Sequence, residues 1–338
     1  MIKNVTMKDV AEKLNISTVT VSKALTGKDG VSEELRGQIK KTSEEMGYRY
    51  NANAKALKEG RSYNVGVIME SHYVYDELDT FYLRMYQGIT KCLTKLDYAC
   101  ILELITFEME DELVLPNLIS SNKVDGIIIL GQLKTDYLVK IQETALKTVY
   151  LDFYDKQMEV DSVITDSVYG AYLLTNYIAS MGHKKIAYVG NIHSTASILD
   201  RYLGYYRSLL VNGLEVRPEY LISDRGKDGL FIDIEFPEDM PTAFVCNCDE
   251  LAYILMEKLK TLGYRIPEDI SVVGFDNYTF AGYSTPRLTT VEVNIDLMTE
   301  MAVDTLIKHF NGEKDIHGRK VIGGKLIIRD SVAKINNN

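Results

Sequence analysis

The stretch VTMKDVAEKLNISTVTVSKALTG, residues 5–27, decides how the amino-terminal end is read. Thr6 followed three residues later by Asp9 is a capping box, and Met7, Val10, Ala11 and Leu14 recur at i, i+3, i+4 and i+7, one apolar stripe of a short helix. Asn15-Ile16-Ser17 breaks it. Ser17 then caps a second helix in which Val21, Ala24 and Leu25 cluster on one side while Val19, Ser22 and Lys23 face the other. That outer face is short, polar and positive. Gly27 through Gly30 interrupt, and Ser32 with Glu33 and Glu34 opens a third helix whose Leu35, Ile39, Thr42 and Met46 share a face and which stops at Gly47. The spacing is that of a helix-turn-helix whose second helix is free to enter a major groove, and a three-helix bundle used for protein contacts would show the same periodicity.

Charge sharpens the choice. The chain of 338 residues carries a formal net charge of −10, yet residues 1–61 hold 12 Lys/Arg against 8 Asp/Glu, leaving 26 against 40 for the remainder. The basic end is the candidate polyanion contact, and an ordinary solvated face would carry the same excess of charge. With 46% hydrophobic residues the chain can bury a sizeable core, and its length suggests about two domains at roughly 150 residues each. No apolar run reaches the ~18 residues of a membrane span, and no apolar stretch precedes a small-residue cleavage site at the amino terminus, so the expected address is cytoplasmic. Cys92, Cys100, Cys246 and Cys248 are too scattered for a disulfide framework and read as free thiols.

From residue 65 the pattern changes. VGVIM, CILELI, GIIIL and TVYLDF alternate with helical windows, and a second series follows in VITD, IAYVGN, TAFVCN and ISVVGFDN. Continuous apolar runs between helices indicate parallel strands covered on both faces, and two series indicate two doubly wound lobes. Ligands of such sheets bind beyond the carboxyl ends of the strands, which places the expected site in a cleft between the lobes.

Catalytic signatures are missing. His72, His183, His193, His309 and His317 show no metal-ligand spacing, and no nucleophile elbow, phosphate-binding loop or dinucleotide fingerprint occurs, so the reading is not an enzyme and needs no cofactor or metal.

The run from Val5 to Ser62, almost without gaps, resembles the DNA-binding segment of the lactose/galactose repressor (LacI/GalR) family of bacterial transcription regulators. The resemblance implies that Thr18, Val19 and Lys23 read base edges and that Ser17, Thr20 and Ser22 meet phosphates. Lys23 stands where arginine is common, and it lacks the rigid guanidinium fork. NANAKALKEG, residues 51–60, resembles the family's hinge helix, too short to be stable alone, with Asn51 as its cap, Lys55 on the DNA and Leu57 as the wedge between base pairs. Tyr50 replaces the proline usual before that helix. DGIIILG, MGHKKIAYVG, RYLGYY, IPEDISVVGFDN and STPRLTTVEV follow family order and spacing, implying periplasmic-binding-protein-like lobes for the rest of the chain.

The expected organisation is therefore residues 1–47 helix-turn-helix DNA-binding domain, 48–61 hinge helix or plain flexible linker, and 62–338 effector-binding and dimerisation domain. Within the last, the N-lobe takes about 62–162 and 294–322 and the C-lobe about 163–293 and 323–338, with crossings near 162, 293 and 323. The resemblance places the effector on Arg201 and Asp276, with Phe275, Phe81, Tyr82 and Asp152 as further lining. Where the family has a ligand-binding asparagine this chain has Cys248, a weak donor, and Asn247 is displaced by one. Arg225 falls near where the family has an aromatic and would bring a second positive charge, which raises an acidic sugar or sugar phosphate as effector beside a neutral sugar. The implied function is a homodimeric transcription regulator of operator DNA, expected to be a repressor, switched by a sugar-like small molecule. Induction, corepression and activation use the same residues, and a sugar-binding protein sharing only the lobes would lack residues 1–61.

Overall fold

The computed structural model describes residues 5–48, 60–75, 81–226, 229–313 and 318–335. The chain divides into two units, residues 1–62 and 63–338. In the first, α1 (Met7–Leu14), α2 (Thr18–Leu25) and α3 (Glu33–Glu45) close on Val10, Ala11, Val21, Ala24 and Ile39. Local chemistry sets each helix start. The Thr6 hydroxyl accepts from the Asp9 N–H at 3.3 Å while the Asp9 carboxylate accepts from the Thr6 N–H at 2.7 Å, and the Ser17 and Ser32 hydroxyls cap α2 and α3. Asn15, with φ 52°, ends α1 in the left-handed conformation that asparagine tolerates.

The second unit holds two parallel sheets. One runs β11-β5-β4-β3-β1-β2, built from β1 (Asn64–Glu70), β2 (Ala99–Ile105), β3 (Gly126–Leu130), β4 (Lys147–Leu151), β5 (Ser162–Thr165) and β11 (Arg319–Ile322). The other runs β7-β6-β8-β9, from β6 (Ile186–Val189), β7 (Leu221–Ile222), β8 (Ala243–Cys246) and β9 (Ser271–Val273). Strand alternation builds the core on both faces: in β3, Ile128 and Leu130 pack with Phe81, Met85 and Ile89 of α5 (Phe81–Thr94), while Ile127 and Ile129 pack with Leu138 and Ile141 of α8 (Thr135–Gln142). Short helices α4 (His72–Tyr75), α6 (Phe107–Asp111) and α7 (Asn117–Ser120) fill the connections of this lobe. In the other lobe α9 (Ser167–Ser180) packs on α10 (Ala196–Val211), and α11 (Asp249–Thr261) lies near β8, β9 and α12 (Thr279–Tyr283).

One grouping from the sequence is corrected. VITD was placed at the head of the second strand series, but β5 pairs with β4 through Tyr150–Ser162 and Leu151–Val163 and with β11 on its other side, so it belongs to the first sheet and the chain leaves that lobe after Thr165 rather than near 162. A short run buried on both faces carries no mark of which sheet it joins. The chain returns after β10 (Thr290–Glu292) into α13 (Ile295–Phe310), which packs on α5 and β4, and crosses last between β11 and β12 (Lys325–Ile327), the latter pairing antiparallel with β10.

Candidate functional site

In the helical unit, α2 turns Val21 and Ala24 into the core, which leaves Thr18, Val19 and Lys23 exposed and Thr20 and Ser22 partly so. Val19 is 63% exposed, an apolar group on an otherwise polar face. Such a group suits a thymine methyl. The Ser17 hydroxyl accepts from the Thr20 N–H at 3.0 Å and lies 2.8 Å from the Thr20 hydroxyl, so both are engaged in the cap of α2. Arg36 was not foreseen. From α3 its guanidinium donates to the carbonyls of Ala24 at 2.9 Å and Lys28 at 3.0 Å, closing the carboxyl end of α2 with two charge-assisted bonds. Asn51, Lys55 and Leu57, with the rest of the expected hinge helix up to residue 59, lie outside the described residues.

In the second unit a cavity of about 550 Å³ opens between the lobes, within the range that holds a drug-sized ligand. Arg201, on α10, is buried at its centre. One guanidinium nitrogen donates to the Asn247 carbonyl at 2.5 Å, another to the Asp276 carboxylate at 3.0 Å, and the group stacks 4.1 Å from the Phe275 ring centre. Among the described residues its Nε is buried with no hydrogen-bond partner. Burial works against the charge of Arg201, and the carboxylates of Asp276 and Asp152 more than offset that, holding the guanidinium above its usual range. Asp276 has φ 105°, a strained conformation for a side-chain-bearing residue and one that clusters at functional sites. Its N–H donates to the Val291 carbonyl at 2.8 Å, so the segment after β9 hangs on the β10 strand.

The N-lobe supplies Asp152, just past β4, with Phe81 and Tyr82 of α5. The Tyr82 hydroxyl donates to Asp152 at 3.1 Å. Burial pushes the Asp152 carboxyl up to about 7, Arg201 lowers it, and Asp276 adds to the rise.

Phe275 is corrected. It does not line the cavity but lies 1% exposed beneath Arg201, its ring so close to Gly170 that a Cβ there would come within 2.8 Å. Arg225 does line the cavity, yet it is no free second cation. Its Nε and Nη2 each lie 2.9 Å from the Asp224 carboxylate, which is 0% exposed and also accepts from the Asn191 N–H and the Asn247 amide, each at 2.7 Å. Asn247 thus spends its side chain on Asp224, and Cys248 faces the cavity as the first residue before α11. The sequence reading missed His72 and Tyr73 of α4, Thr195 and Ser197 at the start of α10, Phe231, and Tyr278, all in the lining.

A DNA-reading helical unit followed by two parallel-sheet lobes around a ligand cavity defines a ligand-responsive transcription regulator. Residues 6–51 match the profile of bacterial regulatory proteins of the lacI family, and residues 175–332 match the periplasmic binding protein-like domain. The chain is 30% identical over 332 residues to the HTH-type transcriptional regulator RegA of Clostridium saccharobutylicum, covering 96% of this chain and 98% of that one. It is 28% identical over 332 residues to the HTH-type transcriptional repressor CytR of Escherichia coli K12, covering 96% of each. In fold it is similar to the lac repressor dimer bound to operator and the anti-inducer ONPF, with a TM-score of 0.77, 22% identity and coverage of 98% of this chain and 100% of that one. The chain belongs to the lacI family of bacterial regulatory proteins, a family of DNA-binding transcription regulators rather than enzymes. Among the described residues no helix is long and apolar enough to cross a membrane.

Proposed function

We propose that this regulator is a cytoplasmic homodimeric repressor whose hold on operator DNA is set by a small, uncharged, polyhydroxylated effector in the cleft between the lobes. The observation that carries the reading is the Arg201–Asp276 pair with Asp152 in the cavity lining, because a hydroxyl can accept from the guanidinium while its neighbour donates to Asp276 or Asp152. Both cavity guanidiniums already hold a carboxylate, Arg201 with Asp276 and Arg225 with Asp224, which favours a neutral polyol over a sugar acid or phosphate. On the DNA side, Thr18, Val19 and Lys23 would meet base edges, and the open N–H groups at the start of α2, next to Ser17, Thr20 and Ser22, would meet phosphate. Residues 48–61, with Asn51, Lys55 and Leu57, would form the hinge that links lobe angle to DNA.

The test is a thermal-shift panel of sugars and nucleosides on the full chain, followed by operator binding with each hit. Asp276→Asn should retain operator binding in the absence of ligand and lose roughly ten- to a hundredfold in effector affinity, the worth of one charged hydrogen bond at about 1.5–3 kcal/mol. Loss of operator binding with ligand marks an induced repressor, and gain marks a corepressed one. Full effector affinity in Asp276→Asn refutes the pocket.

A further inference from the structure

The side of α10 that faces away from its lobe is apolar. Ile198, Arg201, Gly204, Tyr205, Ser208 and Leu209 are buried on one side of the helix. The opposite side leaves Leu199 38%, Leu203 45%, Tyr206 36% and Leu210 56% exposed, at intervals of four, three and four residues. That is the spacing of a seam by which one helix packs along another, and no charged residue interrupts it. The outer stripe of a surface helix is ordinarily polar, so leucines held there in water gain by being covered.

The seam is matched to itself. Turned end for end about its centre, it sets Leu203 against Tyr206 and Leu199 against Leu210, so every side chain meets an apolar one. The flank agrees. Arg207 is exposed beside the seam, its guanidinium 4.9 Å from the Tyr172 ring centre, and the partly exposed Asp200 lies one heptad before it on the same flank. Antiparallel copies therefore bring Arg207 of each toward Asp200 of the other, while Asp200, which accepts from the Tyr154 hydroxyl at 3.2 Å, keeps lone pairs for a second donor. With Val211, which is 64% exposed, the stripe offers roughly 900 Å² of total buried area to two copies, less than the ~1,200 Å² of a standard interface and far less than the ~2,000 Å² of an obligate homodimer. Such an area suits a weak contact between dimers and not the permanent contact within one.

We propose that the Leu199–Leu210 face of α10 is a docking surface for α10 of a second copy of this chain, packed antiparallel, and that it joins one homodimer to another. This rests on the homodimer of the functional reading. Gly204 brings α10 so near α9 that a Cβ there would fall on the Val168 carbonyl oxygen, so the seam stands on a firmly backed helix and little order is lost when it is covered.

Sedimentation velocity on the full chain tests it. Between about 1 and 100 µM the wild type should pass from dimer to tetramer, the range expected of so small an interface. Leu203→Glu, a change at an exposed position, should weaken that association at least tenfold and remain dimeric, with unchanged stability in urea. Leu203→Lys combined with Tyr206→Glu should associate again, because antiparallel pairing sets each introduced lysine against the second copy's introduced glutamate. A wild type still dimeric at the top of the range overturns the surface and leaves the homodimer standing, and so does association retained in Leu203→Glu. Failure of the double variant to associate overturns the antiparallel pairing. A monomeric Leu203→Glu puts α10 inside the homodimer and overturns the contact between dimers. A wild type monomeric throughout overturns the homodimer as well.

Discussion

Replacing Asp152 by Asn removes one titrating carboxyl from the cleft and nothing else of that size. Burial raises Asp152 from 3.8 to about 7, so between those values the unfolded chain has released the proton while the folded chain still holds it. Stability supplied by the protonated carboxyl is therefore full below about pH 4 and falls as pH rises toward 7, by about 1.4 kcal/mol for each pH unit between them. The full span gives an upper bound of about 4 kcal/mol. Since the charges of Arg201 and Asp276 act on Asp152 in opposite directions and the cleft is open to water, about 2 kcal/mol is the expected size. Asn mimics the protonated acid, and contributions from every other group cancel in the difference between the two proteins. Urea denaturation at pH 5 and pH 8 should find the two proteins closer in stability at pH 5, with Asp152→Asn gaining about 2 kcal/mol on the wild type by pH 8. A difference that stays constant to within about 0.5 kcal/mol across this range would show that Asp152 is ionised throughout, and the argument from burial would be wrong.

Three further outcomes follow from the packing. Lys23→Ala should cost about 1–3 kcal/mol on operator DNA and relax preference at one base pair, read by titration against single-base operator variants, whereas equal weakening on all sequences assigns Lys23 to phosphate. Arg36→Ala should lower hydrogen-exchange protection at the carboxyl end of α2 and weaken operator binding at least tenfold, because two charge-assisted bonds to the Ala24 and Lys28 carbonyls are lost; unchanged protection in α2 refutes it. Gly204→Ala should destabilise the lobes by about 3 kcal/mol in urea denaturation, since a Cβ there falls on the Val168 carbonyl oxygen where α10 meets α9, and a cost below about 1 kcal/mol would mean the helices part easily.

The helical unit was legible because its signals are local: Thr6 with Asp9, Ser17 and Ser32 announce the helix starts within four residues of the groups they bond. Arg36 was not, since its partners lie 8 and 12 residues back and nothing in the pattern of α3 points to them. The lobes declared their strands but not their pairing, which is why β5 was grouped with the wrong sheet. Phe275 lies in a bend past the end of β9, before the positive φ of Asp276, and turns inward onto Gly170, a direction that no alternation in the sequence announces. His72, Tyr73 and Phe231 enter the cavity through a four-residue helix and a bridged hairpin, neither of which leaves a periodic trace. Asp224 stands next to Arg225 in sequence, yet only its complete burial shows that the arginine's charge is already taken.

The peptide of Asp276 is the place where two mechanical jobs meet. Its carboxylate faces the cleft, and its N–H is hung on Val291, four residues before the helix that carries the chain back into the other lobe. Force applied at the carboxylate is therefore delivered to the crossing strand through one short rigid link, as a crank delivers it to an axle. Residues 289–295 are the segment that would carry that turn from one lobe to the other. Substitutions there, at positions that never touch the effector, should change how far the lobes turn in response and, by linkage, shift the apparent effector affinity with it.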